Sequence, residues 1–555
     1  MKKAKTPLLR FNFWFGYIVL MLFLALRSEY PFVDQMAFKG ISIILTVFMI
    51  VDVCASFVFL KINLRNRAVI IVSIVYPFLI LVLSGVIISF AVSMLKFYAI
   101  EFAILLSSTL PAVFLLHLAV GRRRKAVVSV ILCCVIIIGG VLAVTGIAPS
   151  GFKTGAVVYA IGDEYQIVWS TYNRGVSYVE IGGERYYDSD GGSARTDLTV
   201  HKVSVPASVL DEAKSYTVYT RNMIIRNAYG ALQGRTISRT YSFRPVDESD
   251  GIQFFAASDI HDYKTAAVKA ASYYGDKLDF LILAGDISSF VPRHYALDFI
   301  NKVAFDVTKG TRPVIYARGN HETRGNVSGY LHRYVGSNGS NYYYTFRLGS
   351  LWGIVLDMAE DKVDNNWEYY GAADYESYRR EQLAYLDEVI ENADREYNAP
   401  GVQYRIAVSH ITTAFTDAEL VFADVFKAFN ERLNAMDIDV MVSGHRHKLM
   451  YLEGGFGVGE EYYYSPAYRK NAQDKPDIVT LGANFPMAIV TCHNDTQIFV
   501  DQVPFTAKYT GGAFEYKDSA LTLTYVNSKK EPVHVISPWF DIDYGTKITI
   551  KSFDI

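Results

Sequence analysis

Cysteine is scarce: there are four in 555 residues, and three of them, Cys54, Cys133 and Cys134, fall before residue 150. Cys492 therefore stands alone in the long C-terminal region, which excludes an intramolecular disulfide there and leaves any exported domain to rely on its core. Charge of one sign is also lacking. With 54 Lys and Arg against 56 Asp and Glu, the formal net charge is -2. No basic face is expected, and so no nucleic-acid-binding surface. Long apolar runs are missing after residue 150, although hydrophobic residues make up 51% of the chain. A chain of 555 residues also exceeds what one core fills, so several domains are expected.

The apolar runs crowd into the first 150 residues as five segments: Phe13 to Leu26, Gly40 to Leu60, Ala68 to Phe90, Phe102 to Val120 and Val127 to Ile147. Most reach the ~20 residues that cross a hydrocarbon core, and their succession argues against a cleaved signal peptide. Lys2, Lys3, Lys5 and Arg10 precede the first segment, Lys61, Arg65 and Arg67 follow the second, and Arg122, Arg123, Arg124 and Lys125 follow the fourth. The positive-inside rule puts the N-terminus in the cytoplasm and, with five spans, everything after residue 148 outside. The expectation is a multi-pass cell-membrane protein held in the lipid bilayer by its N-terminal helices. Asp52 is the one charge well inside a span; it reads as a polar pathway or as a carboxylate with a local partner or water.

From Gly151 to about Pro245 the pattern changes to short alternating segments such as "YQIVWSTY" and "KSYTVYTRNMII" between Gly, Asp, Ser and Asn turns. Period-two alternation with that density of turns predicts an antiparallel β-sandwich. After "RPVDESDG" the pattern changes again: "IQFFAASDIHD", "LDFLILAGDISS", "RPVIYARGNHET", "YRIAVSHITT" and "IDVMVSGHRHK" are apolar strands that stop at Asp, His, Asn or Gly. In α/β folds the carboxyl ends of strands meet at one crevice. Collected there, Asp259, His261, Asp286, Asn320, His410, His445 and His447 form a list of hard oxygen and borderline nitrogen donors without thiolate, suited to Mn, Fe, Zn or Mg. Seven donors are too many for one tetrahedral ion and about right for two ions that share a carboxylate. Taken alone, "GHRH" at 444–447 reads first as a polar turn closing a buried strand.

Read in order, "DIH" (259–261), "GDIS" (285–288), "GNHE" (319–322), "SH" (409–410) and "GHRH" (444–447) resemble the motifs of the calcineurin-like metallophosphoesterases over roughly residues 251–500. The resemblance implies that Asp259, His261 and His447 hold one divalent ion, that Asn320, His410 and His445 hold another, and that Asp286 bridges them. It implies that His321 is the outer acid that protonates the leaving oxygen. Two such ions clamp phosphoryl oxygens and lower the pKa of a bridging water, giving a hydroxide placed for attack. Where many relatives carry an acidic residue to orient that histidine, this chain has Ser289, which leaves the orienting partner of His321 open. Purple acid phosphatases carry a tyrosine there that binds ferric iron, so a colourless enzyme is expected, although "IVWSTYNRGVSYVEIGG" is similar to their N-terminal sandwich domain.

Arg318, Arg324 and Arg446, with Arg293, stand near the motifs and are candidates for two-pronged phosphate contact. The aromatic stretch 340–375 reads either as a rim that stacks a base or sugar or as plain sheet. The expected architecture is therefore multi-domain: a transmembrane helical bundle (1–148), a fibronectin-like β-sandwich (149–247), an α/β metallophosphoesterase sandwich of two mixed sheets flanked by helices (248–503) and a β-rich tail packed on it (504–555). The expected function is hydrolysis of phosphate mono- or diesters outside the cytoplasm with two divalent metal ions, on a phosphorylated substrate and without an obligate protein partner. A membrane receptor or transport protein whose outer domain binds a phosphorylated ligand without turnover is the alternative.

Overall fold

The computed structural model describes residues 151–553 apart from 227–230, 361, 370, 372, 414, 418–422, 448, 456–477, 481, 494–508 and 538–541. The five apolar segments, Asp52 and the expected membrane bundle lie outside the described residues. Among the described residues no helix is long and apolar enough to cross a membrane.

The elements that build the fold start at residue 157. They begin with β1 (Val157–Ile161), β2 (Glu164–Ser170), β3 (Gly175–Ile181), β4 (Glu184–Tyr187) and β5 (Val200–Pro206). Helix α1 (Ala207–Ala213), β6 (Ser215–Arg226) and β7 (Ala231–Ser242) follow. The motif-bearing part contains β8 (Ile252–Ala257), α2 (Lys264–Ala271), β9 (Phe280–Ala284), α3 (His294–Thr308), β10 (Pro313–Ala317), β11 (Tyr344–Leu348) and β12 (Leu351–Leu356). It continues with α4 (Tyr375–Glu391), β13 (Tyr404–Ser409), α5 (Ala423–Ala435), β14 (Val440–Ser443), β15 (Met450–Leu452) and β16 (Met487–Ile489). The C-terminal strands are β17 (Cys492–His493), β18 (Tyr509–Lys517), β19 (Ala520–Asn527) and β20 (Ile548–Ser552).

Two mixed sheets carry the site. One has the order β20-β19-β18-β8-β9-β10-β1-β2-β5, with β17 paired to β18; the other runs β11-β12-β13-β14-β16-β15. Strands β8, β9 and β10 are parallel, as are β12, β13, β14 and β16, so their carboxyl ends point the same way within each sheet. Both faces of these strands are buried, which explains their near-continuous apolar sequences. In β8, Ile252, Phe254 and Ala256 join an apolar cluster that includes Val355, Val408 and Val442 of the other sheet. Phe255 and Ala257, on the opposite face by the period of two, pack with Ala267 and Ala270 of α2 and Leu297 and Ile300 of α3. The second sheet sends Ile354, Ala407 and Met441 outward against Leu386 of α4 and Phe429 of α5. The layers are therefore helix, sheet, sheet, helix, an α/β domain preceded by a β-rich one.

The segment 151–247 does form two layers, but they are not a separate sandwich. Its β1 pairs in parallel with β10, and β2 and β5 continue the large sheet, while β4-β3-β6-β7 form a second sheet. Trp169 of β2, fully buried, donates its indole N–H to Thr220 of β6 at 2.9 Å and so ties the two layers. At the other edge β18 pairs antiparallel with β8. One apolar cluster takes residues from 156 to 548, and Gly146–Ile555 forms one compact unit. The boundaries expected at 247/248 and 503/504 thus mark changes of pattern along the chain, and the core crosses both.

Candidate metal centre

Each motif begins where a parallel strand runs out. Asp259 and His261 follow β8, Asp286 follows β9, Asn320 and His321 follow β10, His410 follows β13, and His445 and His447 follow β14. These turns are forced into conformations that side chains usually avoid. Asp259, His261, Asp286, His445 and His447 have φ of 48°, 44°, 53°, 69° and 51°. Left-handed non-glycine residues are uncommon, and a cluster of five is strain held in place by the surrounding structure. Two motif glycines are required by close approach: a Cβ on Gly319 would collide with the backbone N and Oδ1 of Asp286, and one on Gly444 with Oγ of Ser258.

The turns bring their lone pairs together. His261 Nε2 lies 3.2 Å from His447 Nε2, and His447 Nε2 lies 3.4 Å from Asp259 Oδ1. His410 Nε2 is 3.2 Å from Asp286 Oδ2 and 3.1 Å from Asn320 Oδ1. His261 Nε2 and His321 Nε2 are each 3.8 Å from the same Asp286 oxygen. Three overlapping groups, Asp259–His261–His447, His261–Asp286–His321 and Asp259–Asp286–His410, each have their ligand atoms within 4.8 Å of one another. His445 sits beside them, its ring 5.3 Å from that of His410 and its backbone N–H donating to both oxygens of Asp259 at 3.1 and 3.0 Å.

The local hydrogen bonds fix which nitrogen faces inward. A carbonyl can only accept, so His410 Nδ1, 2.7 Å from the carbonyl of Ala284, carries a proton and leaves Nε2 for the site. In the same way His321 Nδ1 donates to the carbonyl of Ser289 at 2.6 Å. The partner of His321 left open by the sequence is therefore the backbone of Ser289. Burial lowers His410, but the Asp286 carboxylate against it outweighs that and holds it up at about 10. Asp286 is correspondingly kept ionised: burial opposes its charge, and His410 overcomes the burial. His261 is pushed down to about 4 by burial, despite the pull of Asp286.

A positive charge belongs where these acceptors converge. Asn320 Oδ1 faces His410 Nε2 and the Asp286 carboxylate; turning the amide over would put its N–H against the same carboxylate at 3.1–3.2 Å. Either way the buried acceptors need a cation or a proton between them. The set of carboxylate, amide oxygen and imidazole fits a divalent cation of the Mn, Fe, Zn or Mg type.

Two supports have no role in the sequence reading. The Glu322 carboxylate, fully buried, accepts N–H bonds from Asp286 (2.9 Å), Ile287 (2.7 Å), Ser288 (3.0 Å) and Gly319 (3.0 Å), and so builds the Asp286 turn. Burial and then the Asp286 charge raise it to about 7, against those donors. Ser258 Oγ donates to Asp259 Oδ2 at 2.7 Å, while the Ser258 peptide is held by Thr491 and by Tyr509, whose hydroxyl takes its N–H (3.0 Å) and donates to its C=O (2.8 Å). Glu322 lies inside the quoted "GNHE"; nothing near Ser258 in sequence points to Tyr509.

The arginines divide. Arg318 is committed to Asp357 at 2.7 Å, with its guanidinium 4.4 Å from the Tyr342 ring centroid and 5.5 Å from that of Tyr378. Asp357 is itself fully buried, so Arg318 supplies its counter-charge. Arg324 donates to Glu360 through Nε at 2.6 Å and reaches Glu368 through Nη2 at 3.1 Å, at the edge of the Asn320 turn. Arg446 is half-buried between the two histidines of "GHRH". The aromatic stretch is mainly sheet and core: Tyr342, Tyr343, Tyr344, Phe346, Trp352 and Tyr369 are buried.

No curated protein matches the sequence. A family model for the calcineurin-like phosphoesterases matches residues 252–449. Among solved structures, the chain is similar to the purple acid phosphatase PPD1 of yellow lupin (Lupinus luteus) seeds, at 13% identity over 72% of this chain and 74% of that one, with a TM-score of 0.39. It is also similar to PhoD (12% identity, 74% and 94% covered, TM-score 0.39) and to GAP50, the anchor in the inner membrane complex of Plasmodium (12%, 55% and 91%, 0.30). With the five motifs at five strand ends and the family model spanning them, residues 252–449 form a calcineurin-like phosphoesterase domain, the domain of metal-dependent hydrolases of phosphoric esters.

Proposed function

We propose that the protein is a membrane-anchored phosphoesterase that works on phosphate mono- or diesters outside the cytoplasm with two divalent ions. The observation that carries the reading is the set of three overlapping ligand groups, two of which share Asp286, a buried anion facing His410, His261 and His321. In this proposal Asp259, His261 and His447 hold one ion, Asn320, His410 and His445 hold the other, and Asp286 serves both. When bound, such ions neutralise phosphoryl oxygens and lower the pKa of a water, which is the Lewis-acid chemistry ester hydrolysis needs.

The chain's own groups do the rest. Glu322 and Ser258 set the direction of the Asp286 and Asp259 carboxylates. His321 is locked by the Ser289 carbonyl with its Nε2 turned toward the site, where it donates a proton to the leaving oxygen. Arg446, between His445 and His447, and Arg324, beside Asn320 and paired with Glu360 and Glu368, are the arginines that stand at the site for an anionic substrate. With serine at 289 in place of a tyrosine, the loaded enzyme is expected to be colourless. The five apolar segments support the membrane anchor, and their flanking charges support an outward catalytic domain.

The test is hydrolysis of p-nitrophenyl phosphate and bis(p-nitrophenyl) phosphate by the full-length protein with added Mn. Turnover of at least one that disappears in Asp286→Ala is expected; no turnover of either would overturn the reading. Protease added to intact cells should cut the C-terminal region, and protection of that region would reverse the topology.

A further inference from the structure

Among the described residues of the aromatic stretch one ring stands apart from the buried ones. Trp367 is 79% exposed, while Tyr369, two residues on in the same short turn (Trp367–Tyr369), is buried. Single exposed apolar side chains are ordinary; the place of this one is not. The neighbouring Glu368 carboxylate accepts from Arg324 Nη2 at 3.1 Å and from Lys362 Nζ at 3.0 Å. Arg324 Nε in turn donates to Glu360 at 2.6 Å, and Glu360 Oε2 accepts from Asn320 Nδ2 at 3.4 Å, which leaves the amide oxygen toward the metal centre. Three contacts therefore join the base of the tryptophan turn to a candidate metal ligand. Trp367 therefore stands, exposed, on a turn tied to the edge of the Asn320 motif, and the ion pairs of Glu368 hold that turn in place.

We infer that Trp367 is a stacking platform for the organic part of the substrate, and that the preferred substrate class is a phosphate ester whose leaving group carries a planar ring, as in a nucleoside phosphate. The inference rests on the phosphoesterase reading and adds to it which esters are favoured. An indole face offers dispersion and π-stacking to a planar ring and little to a glycerol or other alkyl group. The tether also suits such a role, because a rigid platform loses less freedom on binding than a mobile one. At the first motif, Tyr263, two residues after His261, is 47% exposed and offers a second ring near the same centre.

The test compares full-length wild type with Trp367→Ala and Trp367→Phe, in the presence of Mn. Two readouts are needed: steady-state hydrolysis of a nucleoside 5′-monophosphate and of glycerol phosphate, and calorimetric binding of the nucleoside monophosphate. Trp367→Ala should raise KM and Kd for the nucleotide roughly tenfold, the loss expected of one ring stacked on one aromatic face. It should leave kcat and the glycerol phosphate kinetics within about twofold. Trp367→Phe should recover most of the binding. Equal losses on both substrates, or an unchanged nucleotide Kd in Trp367→Ala, would overturn the inference. If wild type hydrolyses neither ester, the phosphoesterase reading fails, while the calorimetric comparison still judges Trp367.

Discussion

Replacing Glu322 by Gln changes one carboxylate oxygen to an amide nitrogen and nothing in size, yet it should damage both stability and metal binding. Each oxygen of Glu322 accepts two backbone N–H bonds, Oε2 from Asp286 and Gly319 and Oε1 from Ile287 and Ser288. A glutamine amide can accept through its oxygen only, so whichever way it turns, two buried N–H groups lose their partner and meet donors. Each such group costs about 1–3 kcal/mol, for a loss of about 2–6 kcal/mol of folding free energy. The damage falls on the turn that holds Asp286 at φ 53° and that lets Asp286 Oδ1 accept the His321 N–H at 2.9 Å. Urea denaturation monitored by tryptophan fluorescence measures the first effect, and Mn binding by calorimetry the second. A glutamine variant within about 0.5 kcal/mol of wild type, with unchanged Mn affinity, would refute the argument that this carboxylate builds the site.

Three further outcomes follow from named contacts. His321→Asn should slow hydrolysis of an alkyl phosphate by about 10²–10⁴-fold and that of p-nitrophenyl phosphate far less, since nitrophenolate leaves without a proton; equal slowing of both would remove the acid role. Arg318→Ala should lower stability by about 3–5 kcal/mol through the uncompensated Asp357, measured by urea denaturation, whereas a stable variant with only a raised KM would support the phosphate-gripping reading. Asp279, raised to about 6 by burial against N–H bonds from Gln253 and Asp247, gives a pH signature. Its folded value lies above its unfolded one of about 4, so the folded state binds the proton more tightly, and the contribution of this group to stability is full below about pH 4 and is lost as the pH rises through 6. Asp279→Asn should flatten that slope in denaturation series between pH 4 and 7, and an unchanged slope would contradict the assignment.

The chemistry of the site was readable because it is written in residue types at strand ends. Asp259, His261, Asp286, Asn320, His410 and His445 with His447 each follow an apolar run, and parallel strands leave no other place for their side chains to meet. What surrounds them was less readable, for reasons of distance along the chain. A guanidinium that pairs with phosphate and one that pairs with Asp357 look the same in sequence, so the partner of Arg318 could not be told from it. Tyr509 supports Ser258 from 251 positions away, and no local pattern announces it. Strand alternation from 157 to 242 signals two β layers, but it does not say that β1 will pair with β10 and merge one layer into the catalytic sheet. The left-handed turns likewise left no trace, since Asp and His were chosen there for what they bind and the strain is held by Glu322 and Ser258.

The central claim is that the strand-end residues form two cation sites sharing Asp286, and it is tested most directly by titrating Mn into metal-free full-length protein and counting bound ions by calorimetry and electron paramagnetic resonance. The account predicts two equivalents with spin coupling between them, one equivalent without coupling in His447→Ala, and severe loss of both in Asp286→Ala. A single uncoupled equivalent in wild type, or unchanged binding in Asp286→Ala, would contradict it.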